Sequence, residues 1–99
     1  MTIKFLGISR STNPDKKFMA RFEVNGRERI THFGARGMKD YTSHPAAIRD
    51  DRKKAYDSRH RVTEDWSDPL SAGALSKWIL WNKPSFSASL EDYKRRFNF

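Results

Sequence analysis

Apolar side chains change their spacing about one third of the way along the chain, and this change separates a strand region from a helical region. Residues 3–10 (IKFLGISR) combine apolar and β-branched side chains and predict a first strand, with Gly7 at a bulge or a close approach. In the next segment every second side chain is apolar, at Phe18, Ala20, Phe22 and Val24. This is the period of a strand with one buried face, and residues 27–33 (RERITHF) are expected to return beside it as a third strand.

The turn between the second and third strands decides their register. Asn25-Gly26 is a strong hairpin signal, but two loop lengths are compatible with it. A two-residue turn places Glu23 opposite Glu28, whereas a three-residue loop with its glycine in the left-handed region pairs Glu23 with Arg27. Because like charges opposite each other are unfavourable, we expect the three-residue loop.

Residues 34–45 form a connector that contains Gly34 and Gly37, and Ser43 with Pro45 predicts a helix start at its end. A charged helix is predicted over residues 46–61. Its narrow buried stripe is expected at Ile48, Ala55, Tyr56 and Arg59.

Two further helices are predicted after this one. Asp68-Pro69 supplies an N-cap and a first helical residue for a helix over 69–82. That helix is apolar nearly all round, at Leu75, Trp78, Ile79, Leu80 and Trp81. Ser85 caps a last helix, whose single stripe consists of Phe86, Leu90, Tyr93 and Phe97.

These elements predict an α+β fold, in which an N-terminal three-stranded antiparallel sheet is followed by about three α-helices packed on it. With 99 residues, we expect a single domain over 1–99. Its parts are a β-meander (1–33), a glycine-containing connector (34–45) and a helical part (46–99).

Charge is the first indication of function. The chain has 20 Lys and Arg and 12 Asp and Glu, which give a net charge of +8 and a pI near 10.1. Residues 1–33 carry seven basic and three acidic groups, residues 34–62 eight and four, and residues 63–99 five and five. An excess confined to the first two thirds favours a polyanionic partner, either nucleic acid bound without sequence specificity or an acidic protein surface.

The sequence offers little for catalysis. It has no cysteine, and none of its histidines (His32, His44 and His60) forms a metal-binding pair at helical spacing. Phosphate-loop and nucleophile-elbow motifs are also missing, so we predict a non-enzymatic protein without metal or cofactor. No apolar run approaches the length of a membrane span or a signal peptide, and we expect a soluble protein with no membrane partner.

Basic residues of the strands, connector and first helix are therefore the candidate polyanion-binding groups. They are Arg27, Arg29, Arg36, Lys39, Arg49, Arg52, Lys53 and Arg59. Such groups can follow a phosphate backbone. Tyr41, Tyr56 and Phe33 lie near them in sequence and are candidates for stacking on exposed bases. The alternative is that the helix presents a solvated face whose own carboxylates neutralise much of the charge.

Aromatic residues of the last third give a second hypothesis. Trp78 and Trp81 lie on one helix, and one of them is expected to be core while the other forms an interface with another protein or a second copy. Phe97 and Phe99 of the C-terminal tail are added to that interface. The protein would then act as a minor capsid or scaffold component.

A resemblance gives these hypotheses a context. From His32 onward the chain resembles an uncharacterised family of small basic proteins encoded by nucleocytoplasmic large DNA viruses. The resembling positions are His32-Phe33-Gly34, Asp40-Tyr41-Thr42, Tyr56, Arg59-His60, Trp66, Asp68-Pro69, Ala72-Gly73, Ser76-Lys77-Trp78 and Leu80-Trp81-Asn82-Lys83. The resemblance implies a virus-encoded structural protein, in the virion or in the host cytoplasm at the virus factory, and it assigns no activity.

Polar members of the resembling block are expected to converge if the first helix packs back on the connector. They are Asp40, Tyr41, Arg59, His60 and Trp66. One interpretation is a structural latch in which Arg59 pairs with Asp40 or Asp65. The other is a pocket for a phosphate or an acidic peptide.

Overall fold

The strands predicted from the alternating pattern are present in the computed structural model, which describes residues 2–37, 40–41, 44–61 and 64–99. Strand β1 spans Ile3–Arg10, β2 spans Lys16–Val24 and β3 spans Arg27–Ala35. They form one antiparallel sheet in the order β1-β2-β3. The predicted α+β class, a three-stranded antiparallel sheet followed by three helices, is confirmed.

The pairing of β1 with β2 contains the expected bulge at Gly7. The register shifts between Phe5 and Gly7, whose φ of 144° is a conformation that glycine adopts easily. Leu6 lies at this bulge and is 51% exposed.

The expected register of the β2–β3 hairpin is wrong, because Glu23 lies opposite Glu28 across a two-residue turn. Asn25 and Gly26 both have positive φ, 51° and 83°, as this kind of turn requires. Each of these two carboxylates is balanced by a cation of its own. Glu28 binds Arg21 at 2.5 Å, and Glu23 lies 3.6 Å from Lys4 on β1.

The first helix, α1, spans Arg49–His60 and begins three residues later than predicted. Residues 46–48 form a turn in which the Pro45 carbonyl accepts hydrogen bonds from the backbone amides of Ile48 and Arg49. The predicted cap, Ser43, lies outside the described residues.

The second helix, α2, spans Ala72–Leu75 and also begins later than predicted. Asp68 accepts from the Leu70 amide and forms a turn, whereas Ser71 accepts from the Ala74 amide and is the N-cap. The helix continues as a π-helical segment over Ser76–Leu80, in which the Trp81 amide donates to the Ser76 carbonyl.

The last helix, α3, spans Phe86–Arg96 with Ser85 as N-cap, as predicted. Its stripe faces the sheet. Tyr93 is buried, and Phe86, Leu90 and Phe97 are partly buried against the core.

The core lies between one face of the sheet and the segment from α2 to α3. Its buried members are Ala20, Phe22, Phe33, Leu70, Leu75, Ile79, Leu80 and Tyr93. The predicted inner face of β2 is thus confirmed at Ala20 and Phe22.

Helix α1 does not contribute an apolar stripe to this core. Of the predicted stripe only Tyr56 is buried, while Ile48 is 41% exposed and Ala55 and Arg59 are also exposed. The sheet is already covered by the later helices, so α1 packs on the connector and on the π-helical segment through side chains that are mostly polar. No helix among the described residues is long and apolar enough to cross a membrane.

Candidate nucleic-acid interface

The strand registers bring cations together at one end of the sheet. Arg10 is the last residue of β1, Lys16 is the first residue of β2 and pairs with Ala35, and Arg36 follows β3 directly. The Arg36 amide donates to the Asp15 carbonyl at 3.1 Å, and the Arg36 guanidinium lies 3.4 Å from the Lys16 carbonyl. These contacts fix the end of β3 beside the β1–β2 turn.

A surface cleft opens between these residues. Arg10, Lys17, Phe18 and Arg36 line it, and its volume is about 360 Å³. We call it the sheet-end cleft. Three of its four lining side chains are cations and the fourth is aromatic, which is a combination typical of phosphate and nucleic-acid contacts.

A second cavity lies next to this cleft and shares Lys17 with it. It is about 260 Å³ in volume and lies between the ends of β2 and β3, helix α1 and the segment from α2 to Trp81. We call it the inner cavity. Lys16 and Arg59 also line it. The cations of the cleft and the cavity, namely Arg10, Lys16, Lys17, Arg36 and Arg59, are called the basic band below.

Two carboxylates line the inner cavity, and both have partners within the protein. Asp40 is only 5% exposed and pairs with Lys17 at 2.9 Å. Glu64 pairs with His60 at 2.9 Å and accepts from the Trp66 indole at 3.0 Å. Lys17 thus balances the charge of Asp40, and hydrogen bonds hold Glu64, while the exposed cations Arg10, Arg36 and Arg59 leave the band positive.

The model of the family described as "Family of unknown function (DUF5754)" matches residues 6–60, which is more than half of the chain. The chain belongs to the DUF5754 family. No curated protein and no solved structure matches it significantly. All five residues of the basic band lie within the DUF5754 region, whereas Trp66, Trp78 and Trp81 lie beyond it.

Only some of the predicted polyanion-binding residues of this DUF5754 protein lie together. Arg36 and Arg59 belong to the basic band. Arg27 and Arg29 are exposed near the opposite end of β3, about 30 Å and about 23 Å from Arg36 at strand spacing. Lys39 lies outside the described residues.

The predicted cations of α1 face in two directions. Arg52 is exposed on the outer side of the helix. Arg49 and Lys53 face inward over the ring of Tyr41, at 5.6 and 5.2 Å from its centroid. Lys53 also donates to the Asn82 carbonyl at 3.1 Å, and burial lowers its pKa. Arg49 and Lys53 therefore hold α1 in place and are less available to phosphate than Arg52.

The aromatic residues expected to stack on bases are buried. Phe33 is fully enclosed, and Tyr41 and Tyr56 are 8% and 7% exposed, so the expectation of surface stacking is wrong. Tyr41 donates to Asp50 at 2.6 Å, and this hydrogen bond raises the Tyr41 pKa. Tyr56 lies between the rings of His60 and Trp81, with centroid distances of 4.2 and 4.6 Å.

The polar cluster was interpreted as a structural latch or as a pocket, and the structure contains features of both. Asp40 latches the connector to β2, but through Lys17 rather than through the predicted Arg59. Asp65 bonds Ser67 instead, at the backbone amide and the hydroxyl. Arg59, His60 and Asp40 line the inner cavity, so the cluster also surrounds a pocket.

The aromatic residues assigned to a protein interface lie close to the core. Trp78 and Trp81 are both partly buried, so the expected division into one core and one interface tryptophan is wrong. Trp78 donates to the Trp66 carbonyl at 2.8 Å and is covered by Arg96, 3.7 Å from its ring centroid. Phe97 and Phe99 pack on Tyr93. A protein interface at these residues stays a prediction.

Three members of the basic band are absent from the predicted set. Arg10, Lys16 and Lys17 flank the β1–β2 turn, and their proximity to Arg36 follows only from the antiparallel order of three strands. The predicted meander could have indicated this proximity, because in an antiparallel meander the end of β3 lies beside the start of β2. Among the described residues, no group of three or more histidines or carboxylates is placed to hold a metal ion.

Proposed function

We propose that this protein is a non-enzymatic nucleic-acid-binding protein that contacts phosphates through the basic band. The observation that carries the proposal is the convergence of Arg10, Lys16, Lys17 and Arg36 at one end of the sheet. Two of them, Arg10 and Arg36, are exposed side chains of the sheet-end cleft.

Phosphate binding suits this arrangement for a physical reason. Cations held on neighbouring strand ends can neutralise successive phosphates and release their counterions, without reading any base. The outer face of the sheet, by contrast, pairs its charges internally as Lys4–Glu23 and Arg21–Glu28. That face therefore supports polyanion binding less than the basic band does.

The test compares two triple variants of equal charge. Arg10→Gln, Lys16→Gln and Arg36→Gln together remove three charges from the band and lower the net charge from +8 to +5. Lys17 is left in place because it pairs with Asp40. The control, Arg27→Gln with Arg29→Gln and Arg95→Gln, removes three exposed cations elsewhere and also gives +5.

Binding of a labelled random-sequence duplex is measured over a salt series by fluorescence anisotropy. The band variant is expected to lose at least about tenfold in affinity, and its log–log salt slope should flatten by up to about 2.7, or about 0.9 per lost phosphate contact. The control should change the slope by less than about 0.9, the value for one phosphate contact. Equal losses in both variants, or a wild-type protein that does not bind at about 50 mM salt, would contradict the proposal.

We further propose a viral context, in which the protein is encoded by a large DNA virus and acts in the virion or in the virus factory of the host cytoplasm. The resemblance that begins at His32 supports this. Immunoblotting of purified particles and of infected-cell fractions tests it, since the protein should be enriched in one of the two. Its absence from both would contradict the viral assignment and would leave the binding test unaffected.

A further inference from the structure

The inner cavity is a pocket beside the basic band, and binding of phosphates alone does not require such a pocket. We propose that it receives one unpaired base of a single-stranded nucleic acid, while the neighbouring phosphates of that strand lie on the basic band. This inference rests on the proposed function and deepens it, because it specifies single strands rather than duplexes as the preferred partner.

The size of the cavity fits a single base. Its 260 Å³ lies slightly below the roughly 300–1,000 Å³ of pockets that hold drug-sized ligands, so a single base can be accommodated. The cavity opens to solvent, since exposed side chains such as Arg59 and Ala72 belong to its lining. A base can therefore enter it from outside without displacing the core.

The walls around the gap are themselves tightly packed. Gly34 and Gly73 both line the cavity, and a Cβ atom at Gly34 would lie 2.8 Å from Leu80. A Cβ atom at Gly73 would lie 3.1 Å from the Glu64 side chain. The backbones of β3 and α2 thus approach their neighbours as closely as glycine allows, and the space that remains has a defined shape.

The chemistry of the walls also suits a base. Trp81 and Ala72 supply accessible apolar surface, and Ser76 belongs to the π-helical segment that forms one side. Single π turns inside helices occur often at functional sites. At the cavity lining, the Arg59 guanidinium can stack on an inserted base, as arginine does in single-strand binding grooves.

The position of the cavity relative to the cations favours a strand. Lys17 lines both the inner cavity and the sheet-end cleft, so a backbone that follows the cleft passes the cavity. A paired base cannot leave its stack without loss of pairing, whereas an unpaired base enters a pocket at much lower cost. Phe33, Tyr41 and Tyr56 are buried, so a base cannot stack on them at the surface. Insertion of the base into the cavity is the remaining way to hold it.

A cavity-filling variant tests this without a change in charge. Ala72 is an exposed residue of α2 that lines the cavity, and Ala72→Leu places a larger side chain there. The matched control is Ala88→Leu, an exposed residue in the first turn of α3 that does not line the cavity. Far-UV circular dichroism and thermal melting establish that both variants are folded.

Wild type and Ala88→Leu should bind a labelled single-stranded oligonucleotide about tenfold more tightly than a duplex of equal length at the same salt. Ala72→Leu should lose this preference and keep the duplex affinity. Quenching of tryptophan fluorescence by the single strand, expected from Trp81 in the cavity wall, should likewise disappear in Ala72→Leu.

Each other outcome separates the two proposals. Equal affinity of wild type for both oligonucleotides, or an unchanged preference in Ala72→Leu, overturns the inference and leaves phosphate binding by the band intact. A nucleoside monophosphate that binds in an Ala72-dependent way, without any preference for the single strand, also overturns it and indicates a free nucleotide as the ligand. Failure of both oligonucleotides to bind overturns the proposed function itself.

Discussion

The phenol ring of Tyr56 lies flat against the indole ring of Trp81, with centroids 4.6 Å apart and ring planes 10° apart. His60 stacks on the other side of Tyr56, one turn further along α1. Tyr56 is the only described residue of α1 that is buried, so this contact is the main apolar attachment of the helix. The remaining attachments are polar, through Lys53, Asp57 and the Tyr41–Asp50 hydrogen bond.

Removal of the Tyr56 ring should therefore loosen α1 and lower the stability of the whole chain. We expect Tyr56→Ala to lower the free energy of unfolding by about 3–5 kcal/mol, as for other large buried aromatic residues. Tyr56→Phe keeps the stacked ring and should cost no more than about 1.5 kcal/mol. Urea unfolding followed by circular dichroism measures both, and equal losses would contradict a role for the stack.

The second attachment of α1 is a largely buried ion pair. Lys77 is 5% exposed and lies 2.7 Å from Asp57, with the rings of Trp66 and Trp78 within 5.4 Å of its ammonium group. Asp57→Asn should destabilise the chain by about 1–3 kcal/mol, because the lysine would remain buried without its counter-charge.

A double-mutant cycle separates this pair from its surroundings. Lys77→Met removes the buried charge, and in that background Asp57→Asn should cost less than about 0.5 kcal/mol. A cost of Asp57→Asn that is the same in both backgrounds would show that the pair contributes no coupling energy.

Two glycines with nearly the same backbone conformation differ in the space around them. Gly34 and Gly37 have φ of 79° and 84°, yet a Cβ atom would meet Leu80 at Gly34 and nothing within 4 Å at Gly37. Gly37→Ala should cost about 1–2 kcal/mol for the left-handed conformation alone. Gly34→Ala should cost at least about 1 kcal/mol more, because it also overpacks the core. Thermal melting of the two variants compares them directly, and similar melting temperatures would contradict the close approach.

High pH should unfold the protein through its tyrosines. The chain has three, and the pKa of each is raised above 10.0: Tyr56 and Tyr93 by burial, and Tyr41 by its hydrogen bond to Asp50. Above pH 10 the folded state then holds more protons than the unfolded state, so stability falls as the pH rises. The lowered pKa of Lys53 acts in the opposite direction, but it is a single group.

Absorbance of phenolate near 295 nm measures this effect. We expect no tyrosine to ionise at its ordinary pKa, and all three should ionise together with the loss of circular dichroism. Tyr93→Phe, if folded, should move the alkaline transition to higher pH. A gradual ionisation near pH 10 in the folded protein would contradict the burial of these hydroxyls.

Local patterns in the sequence were enough for the sheet and for α3. Alternation at Phe18, Ala20 and Phe22, together with glycine and proline in the turns, specifies strands without reference to the rest of the chain. The hairpin register was missed because it depends on a third strand. Lys4 of β1 lies directly opposite Glu23 and offsets its charge, but a comparison restricted to the β2–β3 pair does not include that contact.

The starts of α1 and α2 and the buried face of α1 were not predicted correctly, for related reasons. Asp68 has the chemistry of an N-cap but is used in a turn, and Ser71 takes the cap three residues later. Helix α1 buries Tyr56 and otherwise packs through polar groups, because the apolar surface of the sheet is already occupied. The basic band was only partly predicted, since Arg10 and Lys16 meet Arg36 through strand register and not through sequence proximity.

The π-helical segment over Ser76–Leu80 holds one residue more than an α-helical turn would hold at the same place. Across it the Trp81 amide donates to the Ser76 carbonyl, five residues back in the chain. Loss of one residue between the two would make this an ordinary α-helical hydrogen bond, with Trp81 still bound to the same carbonyl. Trp81 would then keep its place beside Tyr56, and α1 would keep its apolar anchor. The π turn is therefore the part of the chain where its length can change by one residue while the elements on either side stay in register.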